Sequence, residues 1–325
     1  MWNRSRSIRS NRSSSKKNRT PFFPPWADRP RSISRSPWPN RDSGDSSCVL
    51  PPYMIGEDDY ESICRQTALL AQALNVKGLI NVQFALKDGE IFLLEVNPRA
   101  SRTVPFVSKA SGIPWAKIAA RVMCGRKLKD LGVLHREPGN RVAVKSPVFP
   151  FIKFPNVQTY LGPEMRSTGE VMGLDTSFGG AFAKAILAAG HRLPTAGNVF
   201  ISVNDNDKDK ASAVARQLHD LGFGIMATEG TQRAFRKIGI PCRKVFKVEE
   251  GRPNSVDMII NGEIQLVINT PLGKVSRYDE YNIGRVAMAR GILCLTTLSA
   301  AWAAVNAIRS LMAGPLSVIA LQDVI

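Results

Sequence analysis

The clearest alternation of apolar and polar positions lies at residues 81–97, NVQFALKDGEIFLLEVN. Two short apolar runs flank Lys87-Asp88-Gly89. A three-residue hairpin loop ending in glycine suits a type I turn closed by a left-handed residue. That loop predicts pairing of Leu86 with Glu90 and of Gln83 with Leu93. Side chains along a strand alternate between its faces. Val82, Phe84, Leu86, Phe92, Leu94 and Val96 are then expected on one face. Asn81, Gln83, Glu95 and Asn97 are expected on the other. A two-residue Asp88-Gly89 loop would shift the register and mix these faces.

Helical spacing marks residues 57–75, where Ile63, Thr67, Leu70 and Leu74 form one stripe behind an acidic first turn. Residues 104–124 read as a second helical stretch, reopened at Ile113-Pro114. Residues 126–195 are mixed and rich in proline. Phe149, Phe151 and Phe154 are expected to pack back on the preceding lobe. From about residue 197 the pattern becomes strict strand–helix alternation. Strands are predicted at 198–203, 223–227 and 265–270. Lys208–Leu221 is predicted as a helix burying Ala211, Val214, Ala215, Leu218 and Leu221. Helices at Asp279–Arg290 and Leu298–Leu311 and a final strand, LSVIAL, complete the alternation. Helix-linked strands make a parallel sheet.

Length and composition change this picture little. The chain has 325 residues, 44% of them apolar, which fits a globular protein of about two domains. Residues 1–41 hold eleven Lys and Arg against Asp28 alone, and so carry +10 of the net +17. The high isoelectric point is mostly a property of this tail, and nucleic acid is not an expected partner. The tail lacks periodicity and is expected to be disordered. It could be a transit peptide, an RNA-touching segment or non-native sequence. The third reading is preferred, because the recognisable pattern starts abruptly at Asp42. The five cysteines are scattered and odd in number. Reduced thiols and a cytoplasmic location are expected, or an organelle if the tail is a transit peptide. No apolar run is long enough for a spanning helix, so no membrane partner is expected.

Two places carry candidate chemistry. Gln83, Glu95 and Asn97 are hard oxygen donors suited to Mg²⁺, with Arg99 and Arg102 following at once. Oxygen ligands beside guanidiniums suit phosphoryl transfer. An ordinary hairpin with a solvated polar face is the competing reading. The second place is the turn Thr228-Glu229-Gly230-Thr231, between a strand and a helix, which can cradle an anion. Ser202, Thr228, Thr231, Asn269 and Thr270 all fall at strand ends, where ligands of open α/β sheets bind. Lys208 and Lys247 are placed to reach the same crevice.

Three strings occur in order: SGDSSCVLP at 43–51, EVNPRASRTVPFVSKASGIP at 95–114 and LGPEMRSTGEVMG at 161–173. Together they resemble the carbamoyl-phosphate synthase large-chain family, in its second synthetase half, from about Asp42 onward. The resemblance implies an α/β protein in four segments. These are a tail at 1–41, an incomplete ATP-grasp lobe (α+β) at 42–125, a connecting segment at 126–196 packed on that lobe, and a Rossmann-like parallel-sheet domain of the methylglyoxal-synthase-like kind at 197–325. The last is expected to fold alone. The implied parent reaction is ATP-dependent synthesis of carbamoyl phosphate from bicarbonate and ammonia, with a glutamine amidotransferase small subunit as partner. The implied cofactors are ATP and Mg²⁺ or Mn²⁺. Gln83, Glu95 and Asn97 would hold metal, with Glu95 bridging two ions. Ser43, Gln83 and Glu95 would meet the nucleotide, and Arg99 and Arg102 the transferred phosphoryl group. Ser202, Lys208, Thr228, Thr231, Lys247, Asn269 and Thr270 would bind a phosphorylated effector such as UMP or IMP. An effector module without catalysis is the alternative.

Several positions depart from the family pattern. Asp42 stands where the family has histidine before Ser43. Ser146 stands where an acid often follows lysine, which argues against ornithine control, although Asp45 and Thr296 remain. Pro271 replaces a threonine of some relatives. Methylglyoxal synthase activity is not expected, because the only histidine of residues 198–325 is His219, on a helix. No adenine-contacting or phosphate-covering segment is recognisable before Asp42, so the chain alone is expected to be inactive.

Overall fold

The computed structural model describes residues 47–132, 140–149, 166–270 and 276–323. Ser43, Asp42, Asp45, Pro271, Phe151, Phe154 and the tail lie outside them. The first elements are β1 (Cys48–Leu50), α1 (Glu57–Ala73), the hairpin β2 (Asn81–Lys87) and β3 (Glu90–Asn97), α2 (Val104–Ser111) and α3 (Trp115–Met123). The acids Glu57, Asp58 and Asp59 oppose the α1 dipole as expected. Yet α1 buries only Tyr60 and Ile63. The second helical stretch breaks where the sequence says it should. Gly112 is left-handed (φ 64°), and Pro114 precedes α3.

β4 (Val142–Val148) and β5 (Gly169–Asp175) join β1 in an antiparallel sheet of order β1-β4-β5. Lys145 is buried opposite Cys48, and its Nζ pairs with Glu170 Oε1 at 2.7 Å. After β5, Ser177 caps α4 (Phe178–Ala188) by accepting from the Gly180 amide. α4 is buried over most of its surface, through Gly179, Gly180, Ala181, Phe182, Ala183, Ala185 and Ile186.

The rest is a five-stranded sheet of order β10-β9-β6-β7-β8 with every pair parallel. Its strands are β6 (Asn198–Val203), β7 (Gly224–Ala227), β8 (Arg243–Lys244), β9 (Leu266–Thr270) and β10 (Leu293–Leu295). The helices are α5 (Lys208–Asp220), α6 (Glu229–Lys237), α7 (Ser255–Ile260), α8 (Ser276–Ala289) and α9 (Leu298–Ala313). The strands are apolar on both faces, as helix-covered parallel strands must be. Val199, Ile201, Ile225 and Ile268 join one core with Val214, Leu218 and Ile308. Phe200, Met226 and Val267 join the other with Met258, Ile259 and Ile283. The expected final strand is not formed. Residues 315–320 are irregular, and Val318 is 95% exposed. The edge position is taken by the short run Leu293–Leu295, whose three residues give no periodic signal.

The connecting segment was expected to pack on the lobe that carries the hairpin. β4 pairs with β1 of that lobe, and Phe178 of α4 stacks on Tyr53 with ring centroids 4.4 Å apart, but α4 also enters the core of the parallel sheet. Val144, Ala181, Phe182 and Ala185 share one core with Val199, Ile201, Ala304 and Ile308, so α4 lies between the antiparallel sheet and α9. A cut at residue 197 would therefore uncover α9. Two glycines set this contact. A Cβ on Gly173 would lie 1.9 Å from the Ala181 carbonyl oxygen, and one on Gly179 would lie 2.4 Å from the Asn306 carbonyl oxygen. All five cysteines are free, and burial pushes the Cys48 and Cys242 thiols up to about 11. Among the described residues no helix is long and apolar enough to cross a membrane.

Gly173→Ala and Gly179→Ala are each expected to lower stability by roughly 1–3 kcal/mol or more, since backbone cannot yield cheaply to an added methyl. Gly169→Ala, with open space around it, should stay within about 0.5 kcal/mol. Urea unfolding of the three variants checks this. Equal midpoints would mean that the α4 contact is not close-packed.

Candidate functional site

The hairpin closes differently from the expectation. Lys87 pairs with Glu90, leaving Asp88 and Gly89 as a two-residue turn. Both have positive φ, 51° and 83°, which is the type I′ geometry that matches strand twist. The register then shifts between Gln83 and Phe84, which leaves Leu94 as an extra residue on β3. This bulge restores the pairing that the short turn would otherwise spoil. Gln83 faces Glu95, and Asn81 faces Asn97. The polar residues thus share a face as expected, but the apolar assignment changes. Leu93 and Ile91 pair with Phe84 and Leu86, whereas Phe92 pairs with Ala85 on the polar side. Phe92, Leu93 and Leu94 are all exposed.

On the polar face, Asn97 Nδ2 donates to Glu95 Oε1 at 2.7 Å. Arg99 donates to Asn97 Oδ1 at 3.4 Å and to the Ala100 carbonyl at 3.0 Å. Arg99 and Arg102 are exposed on the turn that leads into α2. Gln83, Glu95 and Asn97 fit a hard divalent cation in donor type, since each offers oxygen from one face. Glu95 is their sole carboxylate. Among the described residues no three His, Cys, Asp or Glu are placed to hold a metal ion together.

The second set converges at the carboxyl end of the parallel sheet. Ser202 lies opposite Asn269 and Val203 opposite Thr270 in the β6–β9 ladder. Thr228 follows Ala227, the partner of Ile201. Ser202, Thr228 and Asn269 each stand two residues beyond a core residue, Phe200, Met226 or Val267. Alternation therefore turns all three to the same side of the sheet. Ser202 Oγ lies 3.4 Å from Thr228 Oγ1, which donates to Thr231 Oγ1 at 3.4 Å. Thr231 Oγ1 also accepts from the Val203 amide at 3.3 Å. Thr228 is the N-cap residue of α6, yet its side chain makes no cap bond. Asn269 is only 5% exposed, and its side chain has no hydrogen-bond partner among the described residues. Among the described residues the one fully buried side-chain polar atom without a partner is Ser255 Oγ, so the Asn269 amide is left to solvent or a ligand rather than sealed in the core.

Lys208 begins α5, and its Nζ lies 3.3 Å from where a Gly230 Cβ would sit. The same Nζ pairs with Asp205 Oδ1 at 2.5 Å. That hydrogen bond and charge hold the Asp205 carboxyl below the ordinary carboxylate range. Lys247 is exposed beyond β8, and its amide donates to Glu250 Oε2 at 3.1 Å. Asn204 was missed from sequence. Its Nδ2 donates to Asp207 Oδ2 (2.7 Å) and to the Thr270 carbonyl (3.1 Å), clasping the β6–α5 loop to the end of β9. The run Asn204-Asp205-Asn206-Asp207 after a strand signals such a loop, but not the strand to which it ties. His219 lies at the other end of the sheet, in a cavity of about 430 Å³ with Phe223, Pro241 and Cys242.

Two family models match separate parts of the chain. The carbamoyl-phosphate synthase L chain ATP binding domain matches residues 34–131, and the MGS-like domain matches residues 210–296. The carbamoyl phosphate synthase large chain of Archaeoglobus fulgidus is 52% identical over 86% of this chain and 26% of its own length. That of Pasteurella multocida is 54% identical over 83% of this chain and 25% of its own. The C-terminal section of the Aquifex aeolicus large chain is 50% identical over 83% of this chain and 53% of that section. The chain thus spans about a quarter of the full large chains that it matches. Among solved structures, the biotin carboxylase domain of a single-chain bacterial carboxylase superposes at a TM-score of 0.35, with 18% identity over 44% of this chain and 39% of that one. With an ATP-binding-domain match over the hairpin and an MGS-like match over four of the five parallel strands, the chain belongs to the carbamoyl phosphate synthase large-chain family and corresponds to its C-terminal portion.

Proposed function

We propose that this chain supplies two parts of a carbamoyl-phosphate synthase: the metal edge used to phosphorylate carbamate, and the domain that senses a phosphorylated effector. The parent reaction makes carbamoyl phosphate from bicarbonate, ammonia and ATP, with a glutamine amidotransferase small subunit delivering the ammonia. The observation that carries this reading is the shared face of Gln83, Glu95 and Asn97, kept by a bulge despite the short turn. Gln83, Glu95 and Asn97 hold Mg²⁺ or Mn²⁺, and the ion supplies charge neutralisation for the phosphates of ATP. Ser43, Gln83 and Glu95 meet the nucleotide. Arg99 and Arg102 orient the transferred phosphoryl group. Arg99 is already held against Asn97 Oδ1, which limits its search. The segments are assigned as 1–41, 42–125, 126–196 and 197–325, in a cytoplasmic protein.

At the sheet end, Ser202, Thr228, Thr231, Asn269 and Thr270 supply hydroxyl and amide groups, and Lys208 and Lys247 supply positive charge. That set suits the phosphate and polar groups of UMP or IMP. A second reading, an effector module without catalysis, is favoured by one contrast. The effector end rests on closed cores, whereas Phe92, Leu93 and Leu94 of the hairpin are exposed.

Calorimetric titration of the chain with UMP and with IMP tests the effector site. Thr228→Ala and Lys208→Ala are each expected to weaken binding by roughly 1–3 kcal/mol, as for the loss of a hydrogen bond to a charged group. If the parent binds neither nucleotide at millimolar concentration, the assignment fails.

The metal edge is tested with Mn²⁺ and electron paramagnetic resonance. Glu95→Gln removes the only carboxylate of the set and should weaken Mn²⁺ binding by about tenfold or more. Ser202→Ala should leave Mn²⁺ binding unchanged. Equal affinity in the parent and Glu95→Gln would reduce the hairpin to a solvated surface.

A further inference from the structure

Asp205 sits in a 3-10 turn at residues Asp205–Asp207, directly before α5. Its side chain is 91% exposed, so no burial forces it onto a partner. It nevertheless meets Lys208 Nζ at 2.5 Å. The other acids around this mouth are committed elsewhere or stand clear. Asp207 accepts from Asn204, and Glu229 is shared between Arg233 and Lys244. Asp209 is exposed and points to solvent from α5. Lys208, by contrast, lies over Gly230, in the first turn of α6 beside Thr228 and Thr231. Asn269, opposite Ser202 and without a hydrogen-bond partner among the described residues, presents its amide at the same end of the sheet.

We propose that Asp205 is an internal competitor for the anion site. In the empty protein its carboxylate holds Lys208, and an incoming phosphate has to take that lysine from it. The proposal rests on the effector reading above and adds a residue to it. The Asn204 clasp to Thr270 fixes the loop, so Asp205 stays within reach of Lys208 rather than swinging away. Two consequences follow from charge alone. The carboxylate lowers the affinity for any small anion, because ligand and Asp205 share one cation and repel each other. It also raises the share of binding that must come from contacts other than phosphate. A bare anion is thereby held off, whereas a larger phosphorylated ligand recovers affinity through Asn269 and its neighbours.

The experiment is calorimetric titration of the 325-residue chain with inorganic phosphate at low ionic strength, where surface charge is least screened. Asp205→Asn and Asp205→Ala should each bind phosphate about two- to fivefold more tightly than the parent, the range expected for an exposed ion pair. Asp209→Asn makes the same change in net charge without touching Lys208 and should leave the affinity unchanged. In a Lys208→Ala background, Asp205→Asn should bring no gain. If Lys208→Ala weakens binding but Asp205→Asn does not tighten it, the competitor is overturned and the anion site stands. An equal gain from Asp209→Asn would also overturn it, since the effect would be general charge. If neither the parent nor Asp205→Asn binds phosphate, the anion site falls and the proposal falls with it.

Discussion

The close approach of α4 to β5 on one side and to α9 on the other is the contact on which the larger body of this molecule depends. It is possible only because Gly173 and Gly179 lack side chains where backbone meets backbone. Packed interiors have few voids and little compliance, so such an approach admits one arrangement. Through it the antiparallel sheet and the parallel sheet share one hydrophobic core. The ion pair of Lys145 and Glu170 joins β4 to β5, across the strand from β1. The Asp175–Lys184 pair, at 2.6 Å, ties the end of β5 to α4 itself. Lys184 also donates to the Leu174 carbonyl, so the charge is both paired and hydrogen-bonded, as a mostly buried ammonium requires.

That rigid body is what gives the sheet end its chemistry. Each polar residue of the row is held by the core residue two positions before it. Phe200, Met226 and Val267 are locked between helices, and Ser202, Thr228 and Asn269 inherit their direction. The hydroxyls hydrogen-bond one another at long distances, near 3.4 Å, rather than closing the α6 N-terminus. Asn269 stays unpartnered among the described residues. A row of polar groups that is incompletely satisfied on a stiff support is suited to receive a ligand with little rearrangement.

The hairpin is organised by local rules instead. Turn chemistry at Asp88-Gly89 and one bulge settle its register, and the polar face follows from the pairing. Its apolar positions have little to pack against among the described residues, and α1 likewise buries two side chains. The two candidate sites therefore rest on different supports: one on a closed core, the other on strand pairing alone.

Much of this was legible in the sequence because the signals were local or periodic. The strand–helix alternation after residue 197, the α5 stripe from Ala211 to Leu218 and the break at Gly112–Pro114 all follow from periods of two or 3.6 residues and from turn residues, whereas the shared face of Gln83, Glu95 and Asn97 comes from a different pairing than the expected one and depends on the bulge. What only the tertiary structure decided were matters of distance along the chain. The hairpin loop could be read as two or three residues, and a compensating bulge cannot be foreseen from either. LSVIAL is a longer apolar run than Leu293–Leu295, yet the edge of the sheet went to the latter, because a strand is defined by its partner as much as by its residues. The placement of α4 against α9, the Asn204 clasp and the meeting of Asp205 with Lys208 over Gly230 join elements that local patterning treats separately. Sequence alone marked the candidate residues; packing decided which of them meet, because side-chain direction is set by neighbours that are distant in the chain.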